Sequence, residues 1–186
     1  DQYLRTPLHW AILKKQEKSA LILLNNSADI LAKDNDSCTP LLLASANGCS
    51  KVIEALSRRI KKTDEQRDRN GNTALHLAAL KGHTKTVQVL LENKAGANIR
   101  NYFGSTPLIL SASHGQTETV EALLKSGADL KLLDNQDRNA LMRAREQDHK
   151  AVVKLLMETV GTGISLAKKS ASAHAAQVKK KVAVRA

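Results

Sequence analysis

Hydrophobic residues in this chain cluster in short blocks that recur at a nearly constant interval. The blocks cover Thr6–Ala11, Thr39–Ala44, Thr73–Ala78, Thr106–Ser111 and Asn139–Ala144, and each has leucine as its third residue. The spacings between their first residues are 33, 34, 33 and 33. A constant interval of this length predicts five tandem repeats rather than a domain without internal symmetry.

Each repeat contains a second apolar pattern, in which residues three and four apart mark one face of a helix. Examples are Val87–Leu91 and Val120–Leu124. We therefore predict two short helices in every repeat, an inner helix that begins with the leucine block and an outer helix that follows it. The initial Thr suits the helix N-cap, and the Pro that follows it in three blocks suits the first helical turn. Because helices of about ten residues do not persist alone in water, stacking of the repeats must stabilise them.

Glycine and polar residues separate these helices. Gly48, Gly82 and Gly115 are predicted at the corner between the two helices of their repeats, and Gly127 as a left-handed cap after the outer helix of the fourth repeat. The segment Asp68–Asn72 has the composition of a turn, and its counterparts in the other repeats are predicted to form exposed hairpins.

The Thr-Pro-Leu-His-x-Ala block at Thr6–Ala11, one substitution away at Thr73–Ala78, resembles the signature of the ankyrin repeat family. The resemblance covers residues 1–160, with repeats that start near residues 6, 39, 73, 106 and 139. Residues 1–5 match the end of a hairpin from a preceding repeat. The resemblance implies an all-α, L-shaped solenoid of helix-turn-helix units with β-hairpin loops, in which the hairpin tips and inner helices line a concave face.

Some positions depart from the family pattern. Ser27 and Lys94 stand where glycine is expected after the outer helix, and the second repeat has one extra residue in the region 58–62. In the fifth repeat Arg143 and Arg145 replace apolar or small residues, which predicts a solvent-facing terminal cap.

Composition supports a helical array and limits the chemistry. Aromatic residues make up only 2% of the chain, so the core must be built from Leu, Ala, Ile and Val, and a β-sandwich or barrel is disfavoured. The chain has 29 Lys and Arg against 18 Asp and Glu, a net charge of +11. Residues 161–186 carry six of these positive charges and no carboxylate side chain. The repeats themselves are therefore only mildly basic.

No catalytic, metal-binding or cofactor-binding motif is found in the sequence. Cys38 and Cys49 are too few for a disulfide framework or a zinc site, and are interpreted as reduced thiols. The family resemblance implies structural roles for the remaining candidates, which are His9, His76, His83 and His149. The sequence therefore predicts a protein that is not an enzyme and has no cofactor or bound metal.

The hairpin tips are the strongest candidates for partner binding. Three of the four aromatic residues, Tyr3, Tyr102 and Phe103, are predicted there, and cations recur at matching positions of adjacent repeats. Aromatic residues together with Arg are typical of interface hot spots. The predicted partner is a protein or peptide with acidic and apolar anchor residues, bound by a monomeric chain. The predicted site consists of Arg67, Arg69, Leu80, Lys81, Arg100, Tyr102, Phe103 and His114.

Two other functions stay open at this stage. The basic tail, residues 161–186, is either a solvated linker or an anchor that contacts nucleic acid or an anionic membrane through Lys179, Lys180 and Lys181. Alternatively, the repeats are the targeting domain of a larger enzyme, channel or effector. The cysteine usage predicts a reducing compartment, either the cytoplasm or the nucleus, and it also fits a bacterial effector delivered to a host cytosol.

Overall fold

A computed structural model describes residues 1–60 and 62–161 as a stack of five helix pairs. Residues 162–186 lie outside the described part, and with them the predicted contacts of Lys179, Lys180 and Lys181. A single 3₁₀ turn, Thr63–Glu65, follows the second helix pair, in the repeat with the extra residue. The helices are α1 (Pro7–Leu13), α2 (Glu17–Asn25), α3 (Pro40–Asn47), α4 (Ser50–Ser57), α5 (Ala74–Leu80), α6 (Thr84–Glu92), α7 (Pro107–Ser113), α8 (Thr117–Lys125), α9 (Ala140–Glu146) and α10 (Lys150–Gly161).

The inner helices begin where the leucine blocks predict. The hydroxyl of Thr106 accepts a hydrogen bond from the backbone N–H of Ile109 at 3.3 Å, and the side chain of Asn139 accepts one from Met142 at 2.9 Å. Thr6 and Thr39 cap their helices in the same way, and a proline follows each of them at the first helical position. The predicted capping is therefore confirmed.

The corners between paired helices require a left-handed backbone. Gly48 and Gly115 have φ values of +74° and +68°, and a Cβ atom at either would lie within 2.8 Å of a histidine ring from the next repeat, His83 or His149. The left-handed conformation also occurs without glycine, because Lys94 adopts φ +66° at the cap position after its outer helix. The backbone at Lys94 thus has the left-handed conformation that the family pattern expects of glycine, even though the residue is lysine.

The core runs continuously through the stack. Inner helices pack in the order α1, α3, α5, α7, α9, and outer helices in the order α2, α4, α6, α8, α10. Its fully buried large side chains are all Leu or Ile, with Ala and Val between them, as the composition predicts. All four aromatic residues are at least 38% exposed and lie outside this core.

Five turns, at residues 1–5, 34–38, 68–72, 101–105 and 134–138, share one pattern of hydrogen bonds, in which the side-chain oxygen of the first residue accepts from the backbone N–H groups of the third and fifth. In the third turn the carboxylate of Asp68 accepts hydrogen bonds from the N–H groups of Asn70 and Asn72, both at 2.8 Å. A backbone bond from Asp68 N–H to Asn72 O at 3.1 Å closes the turn. No residue in the described ranges is assigned to a β-strand, so the hairpins are closed turns and the fold is all-α.

The predicted solvent-facing position of Arg143 in the fifth repeat is wrong. Its side chain is only 23% exposed, and the guanidinium binds the buried carboxylate of Asp134. This contact forms because α9 packs beside the fifth turn, which places the long Arg side chain over the turn. Arg145 is exposed, as the sequence predicts. Among the described helices, none is both long and apolar enough to cross a bilayer.

Candidate functional site

The inner helices and the turns together form one surface, which we call the groove face. The fifth residue of each repeat lies on it and is at least partly exposed, although Leu43 and Leu77 also pack against the core. The third residue of the first four leucine blocks is instead fully buried. Leu110 and Arg143, two of these fifth residues, line one groove with Phe103 and His114. The five equivalent residues are Trp10, Leu43, Leu77, Leu110 and Arg143.

A groove of about 570 Å³ lies between the fourth turn and the fifth repeat. Phe103 and Ser105 of the turn form one side, Leu110 lies on α7, and Gln147 follows α9. His114, at the end of α7, has its Nδ1 atom 3.0 Å from Leu110 O and remains exposed. Of the predicted site residues, Phe103 and His114 are thus brought together in one cavity.

Tyr102 and Phe103 are adjacent in sequence and contact different repeats. The Tyr102 ring packs on the preceding turn, where a Cβ on Gly71 would lie 2.6 Å from it, and the Tyr102 N–H donates to Asn70 O at 3.1 Å. The carbonyl of Phe103 accepts a bond from the N–H of Asn135 at 3.0 Å. The two side chains remain 65% and 59% exposed. Two large aromatic side chains are therefore exposed to solvent, while hydrogen bonds to the preceding and following turns fix their backbone.

Arg67 and Arg100 occupy equivalent positions and hold the turns together. Arg67 donates to Gly71 O at 2.9 Å and to Arg100 O at 3.1 Å. Arg100 donates to Gly104 O at 2.9 Å and to the side-chain oxygen of Asn135 at 3.3 Å. All these acceptors are neutral, and within the described ranges neither guanidinium forms a salt bridge with a carboxylate.

The other predicted residues have different surroundings. Arg69 forms an ion pair with Asp36 at 3.6 Å and a hydrogen bond to Asn35 O, so it is tied to the preceding turn. Lys81 is exposed at the end of α5 and has no ion pair within the described ranges. Leu80 is half-buried beside it.

Sequence reasoning missed Trp10 as a site residue. Its indole Nε1 donates to the Asp1 carboxylate at 2.9 Å, and the guanidinium of Arg5 lies 5.5 Å from its ring and 4.9 Å from that of Tyr3. The Lys14 ammonium is 5.9 Å from the same indole. Alignment of the repeats could have found Trp10, because it shares its position with Leu43, Leu77 and Leu110.

The four histidines assigned to structure link neighbouring repeats. The N–H of Thr73 donates to Nδ1 of His76 at 3.2 Å, so Nε2 carries the proton and donates to Ser105 O at 3.0 Å. His9 makes the same pair of contacts, and His83 and His149 each donate from Nε2 to a carbonyl of the preceding repeat. Burial lowers the pKa of His76 to about 4, so this ring is neutral near pH 7. The structural interpretation is confirmed.

Neither thiol has the environment of a nucleophile. Burial, together with the nearby Asp34, raises the pKa of Cys38 to about 11, and burial also raises the pKa of Cys49. Both groups are free thiols and stay protonated near pH 7. Within the described ranges no group of three His, Cys, Asp or Glu side chains is placed to hold a metal ion.

Comparison with protein families covers nearly the whole repeat region. A family model described as "Ankyrin repeats (3 copies)" matches residues 31–102 and 93–169, and one described as "Ankyrin repeat" matches residues 3–35. Among solved structures, that of the ankyrin repeat protein EF0377 superimposes with a TM-score of 0.78 at 29% identity, and the match covers 84% of this chain and 82% of that one.

Curated relatives are similar over about half of the chain. The transient receptor potential cation channel subfamily A member 1 of Homo sapiens is 37% identical over 92 residues, which are 48% of this chain and 8% of the channel. The NF-kappa-B inhibitor alpha of Homo sapiens is 31% identical over 99 residues, 50% of this chain and 31% of the inhibitor. The Notch homolog protein 1 of Danio rerio is 34% identical over 102 residues, 54% of this chain and 4% of that protein. The matched regions span at most about a third of these relatives.

Proposed function

Because the chain belongs to the ankyrin repeat family, we propose that it is a non-catalytic module that binds a protein or peptide through its groove face and turn tips. Ankyrin repeats generally mediate protein–protein interaction, and this part of the statement follows from the family. The use of this particular surface is our proposal. It places the partner against Arg67, Lys81, Arg100, Tyr102, Phe103 and His114, with Arg69 and Leu80 at the edge.

The exposed pair Tyr102 and Phe103 is the observation that supports this surface best. Large aromatic groups on a rigid backbone supply contact area at a low entropic cost, and they are enriched in hot spots. The chain has only four aromatic residues, and all of them are exposed, none serving the core. Positive charges on Arg67 and Arg100 favour a partner that presents carboxylates, and they would accelerate association more than they strengthen binding.

The test begins with identification of a partner by photo-crosslinking from Phe103 in the full chain, with Ile22 on α2 as the control position. The two side chains are similarly exposed, 59% and 62%, but Phe103 lies on the fourth turn and Ile22 on the outer helix α2. Truncation of Tyr102 and Phe103 to Ala should then weaken binding of that partner by about 2 kcal/mol, roughly 30-fold in affinity. The control Ile22→Ala should leave the affinity unchanged. If the double truncation also has no effect, the proposed surface is wrong.

The excess of cations in residues 161–186 favours a second candidate, a basic anchor for nucleic acid or an anionic membrane. Such binding loses affinity steeply as salt rises, since it depends on the release of counterions. Removal of Lys179, Lys180 and Lys181 would abolish it, while truncation of Tyr102 and Phe103 would not. Wild type, the double truncation and the variant without Lys179, Lys180 and Lys181 therefore separate the two candidates.

The proposed module also fits a larger protein. The relatives include a channel and an inhibitor, and each is much longer than its matched segment. We propose that this array targets a partner to another domain of its own protein, such as an enzyme, channel or effector. The protonated free thiols are compatible with a reducing compartment, either the cytoplasm or nucleus of its own cell or the host cytosol reached by a bacterial effector. Fractionation of cells that express the full-length protein would test the compartment.

A further inference from the structure

The floor of the groove face has one large apolar side chain in each of the first four repeats. Trp10, Leu43, Leu77 and Leu110 share the fifth position of their repeats, and each is partly exposed. In the fifth repeat this position is Arg143, whose guanidinium is bound to Asp134 and to the side-chain oxygen of Gln136. The apolar floor therefore covers four repeats and ends at a polar cluster.

The spacing of this floor follows from the packing of the inner helices. Helices α1, α3, α5 and α7 are in direct contact in that order. The axes of packed helices lie about 8–10 Å apart. Equivalent side chains on neighbouring helices therefore recur at about the same distance, and the four apolar groups span roughly 30 Å.

A polyproline II segment matches this spacing. It has three residues per turn and a rise of about 3.1 Å per residue, so every third side chain points the same way at intervals of about 9.3 Å. In a β-strand, residues on one face are about 6.6–6.8 Å apart and would lose register with the floor after one repeat. An α-helix returns to the same face after seven residues, about 10.5 Å, and thus also meets the spacing.

The polar side chains beside the apolar floor favour an extended bound peptide over a helical one. The ninth residue of each repeat, beside the apolar floor, carries a hydrogen-bonding side chain. An α-helix has already paired its backbone groups, whereas a polyproline II backbone leaves every N–H and C=O available to such side chains. The five residues are Lys14, Asn47, Lys81, His114 and Gln147.

Charge determines the remaining chemistry of the segment. Within the described ranges Arg67, Lys81 and Arg100 form no ion pair with a carboxylate. By contrast, nearby acids of the groove face are paired, Asp36 with Arg69 at 3.6 Å and Glu146 with Arg138 at 2.6 Å. The surface offers positive charge without a matching negative one, so the bound segment should carry carboxylates.

The geometry points to one kind of partner: an extended, acidic segment in the polyproline II conformation, with an apolar residue at every third position in four successive turns. This inference rests on the proposed function, because it assigns the partner of the same surface. The apolar residues lie over Trp10, Leu43, Leu77 and Leu110. The carboxylates face Lys81 and the turn arginines, and the segment ends before Arg143.

The test uses a synthetic probe, the twelve-residue peptide (Leu-Pro-Glu)₄ with blocked ends, and the full chain. A control peptide of the same composition, (Leu-Leu-Pro-Pro-Glu-Glu)₂, keeps the charge and proline content and changes only the leucine spacing. Fluorescence anisotropy should show the control binding about 10-fold or more weakly, and binding of the probe should weaken with salt. Equal affinity of the two peptides would overturn the inference.

Variants of the protein test where the peptide (Leu-Pro-Glu)₄ binds. Leu77→Asp should reduce its affinity about 10-fold or more, and Lys81→Glu should reduce it with a smaller salt dependence. Ile22→Asp on the exposed side of α2 is the matched control and should bind the probe unchanged. Because Leu77 is half-buried, circular dichroism must show an unchanged fold. If Leu77→Asp unfolds, Lys81→Glu at its exposed site carries the test, and retention of full affinity there counts against the inference.

A third peptide tests the helical alternative. An acidic α-helical peptide with leucine at every seventh position should bind more weakly than (Leu-Pro-Glu)₄, and tighter binding would overturn the extended conformation. Failure of this inference can be distinguished from failure of the proposed function. If these probes fail while a crosslinked partner still depends on Tyr102 and Phe103, the surface stands and its assigned ligand is wrong.

Discussion

The fourth and fifth repeats have the same helix pair and the same turn, and they differ in what covers them. Ile109 of the fourth repeat is 2% exposed, whereas Met142 at the same position of the fifth is 47% exposed. Leu124 and Met157 form a second such pair, at 4% and 50%. The fourth repeat is buried because the fifth packs on it. A residue's burial in this protein is therefore decided by the neighbouring repeat as much as by its own.

The two repeats also end their outer helices differently. In the fourth, α8 ends at Lys125 and Gly127 takes φ +87°, which turns the chain toward the next repeat. In the fifth, the equivalent residue is Val160, and α10 continues through it to Gly161. The first, third and fourth repeats thus share a left-handed residue after the outer helix, at Ser27, Lys94 and Gly127, where the last repeat continues its helix.

The largest predicted effect is the difference in stability loss between truncation of Ile109 and truncation of Met142. Ile109→Ala should lower the free energy of unfolding by about 2–5 kcal/mol, because it leaves a cavity between two repeats. Met142→Ala should cost less than about 1 kcal/mol, since its side chain is half in solvent. Urea unfolding of both variants measures this. Similar losses would mean that the fifth repeat is covered in solution by something outside the described residues.

A second prediction concerns acid sensitivity at the same position in the third repeat, where His76 is buried. With a pKa of about 4 in the folded state and about 6.5 in the unfolded chain, His76 adds stability that is present above pH 6.5 and lost as the pH falls toward 4. The loss should be about 3 kcal/mol over that interval. His76→Leu, which copies Leu42, should remove this dependence.

Urea titrations of both proteins at several pH values between 7 and 4 give the comparison. Met142 at this position of the fifth repeat has no titrating group, so hydrogen exchange should show the pH effect in the third repeat more than in the fifth. If wild type and His76→Leu lose stability in parallel, other groups cause the acid sensitivity.

The third prediction concerns the ion pair between Arg143 and the buried Asp134 in the fifth repeat. Burial would raise the pKa of Asp134, but hydrogen bonds from the Arg143 guanidinium and from the N–H groups of Gln136 and Arg138 outweigh it and hold the pKa below its usual value. Arg143→Gln should cost about 1–3 kcal/mol near neutral pH, since it leaves a buried carboxylate without its cation. Arg145→Gln, at the exposed neighbour, should change stability by less than about 0.5 kcal/mol.

The pair also has a pH signature. Because the pKa of Asp134 is depressed in the folded state, its contribution is present above the ordinary Asp value of about 4 and lost as the pH falls below it. Wild type and Arg143→Gln should therefore converge in stability at low pH. A difference that persists in strong acid would assign the role of Arg143 to packing.

The smallest effect should come from the helix stop. Gly127→Ala should destabilise the array by about 1 kcal/mol, because φ is positive there and an added Cβ would have no atom within 4 Å to contact. Val160→Ala, in the helical position of the fifth repeat, should be neutral within about 0.5 kcal/mol. Thermal unfolding can resolve this pair, and equal effects would contradict the proposed difference in helix ends.

Features set by residues close in sequence could be predicted. Thr106 caps α7 through an atom three residues away, and Gly48 turns the chain by its own backbone freedom. The repeat interval then predicted the recurring leucines of the core, and the family resemblance implied structural roles for the four histidines. All of these depend on local geometry or on a period that can be counted.

The directions of long side chains could not be predicted in the same way. Arg143 was expected in solvent and instead binds Asp134. Arg67 was predicted as a partner-binding residue, and its hydrogen bonds to the Gly71 and Arg100 carbonyls could not be foreseen. Trp10 was overlooked although its position aligns with the other floor residues. A long flexible side chain has many rotamers of similar energy, so the acceptors that the fold brings near it decide among them.

The sequence by itself determined the all-α repeat architecture, the helix starts and stops, and the identity of the core residues, because capping, backbone conformation and periodic burial are encoded within one repeat. Only the tertiary structure decided that Tyr102 packs on the preceding turn while Phe103 lines a groove with His114. It likewise decided that the Arg143 guanidinium binds Asp134 at the end of the apolar floor. The Tyr102 contact joins residues about one repeat apart, and the groove beside Phe103 and His114 is completed by Arg143 and Gln147 of the next repeat, so this geometry exists only after the repeats have stacked.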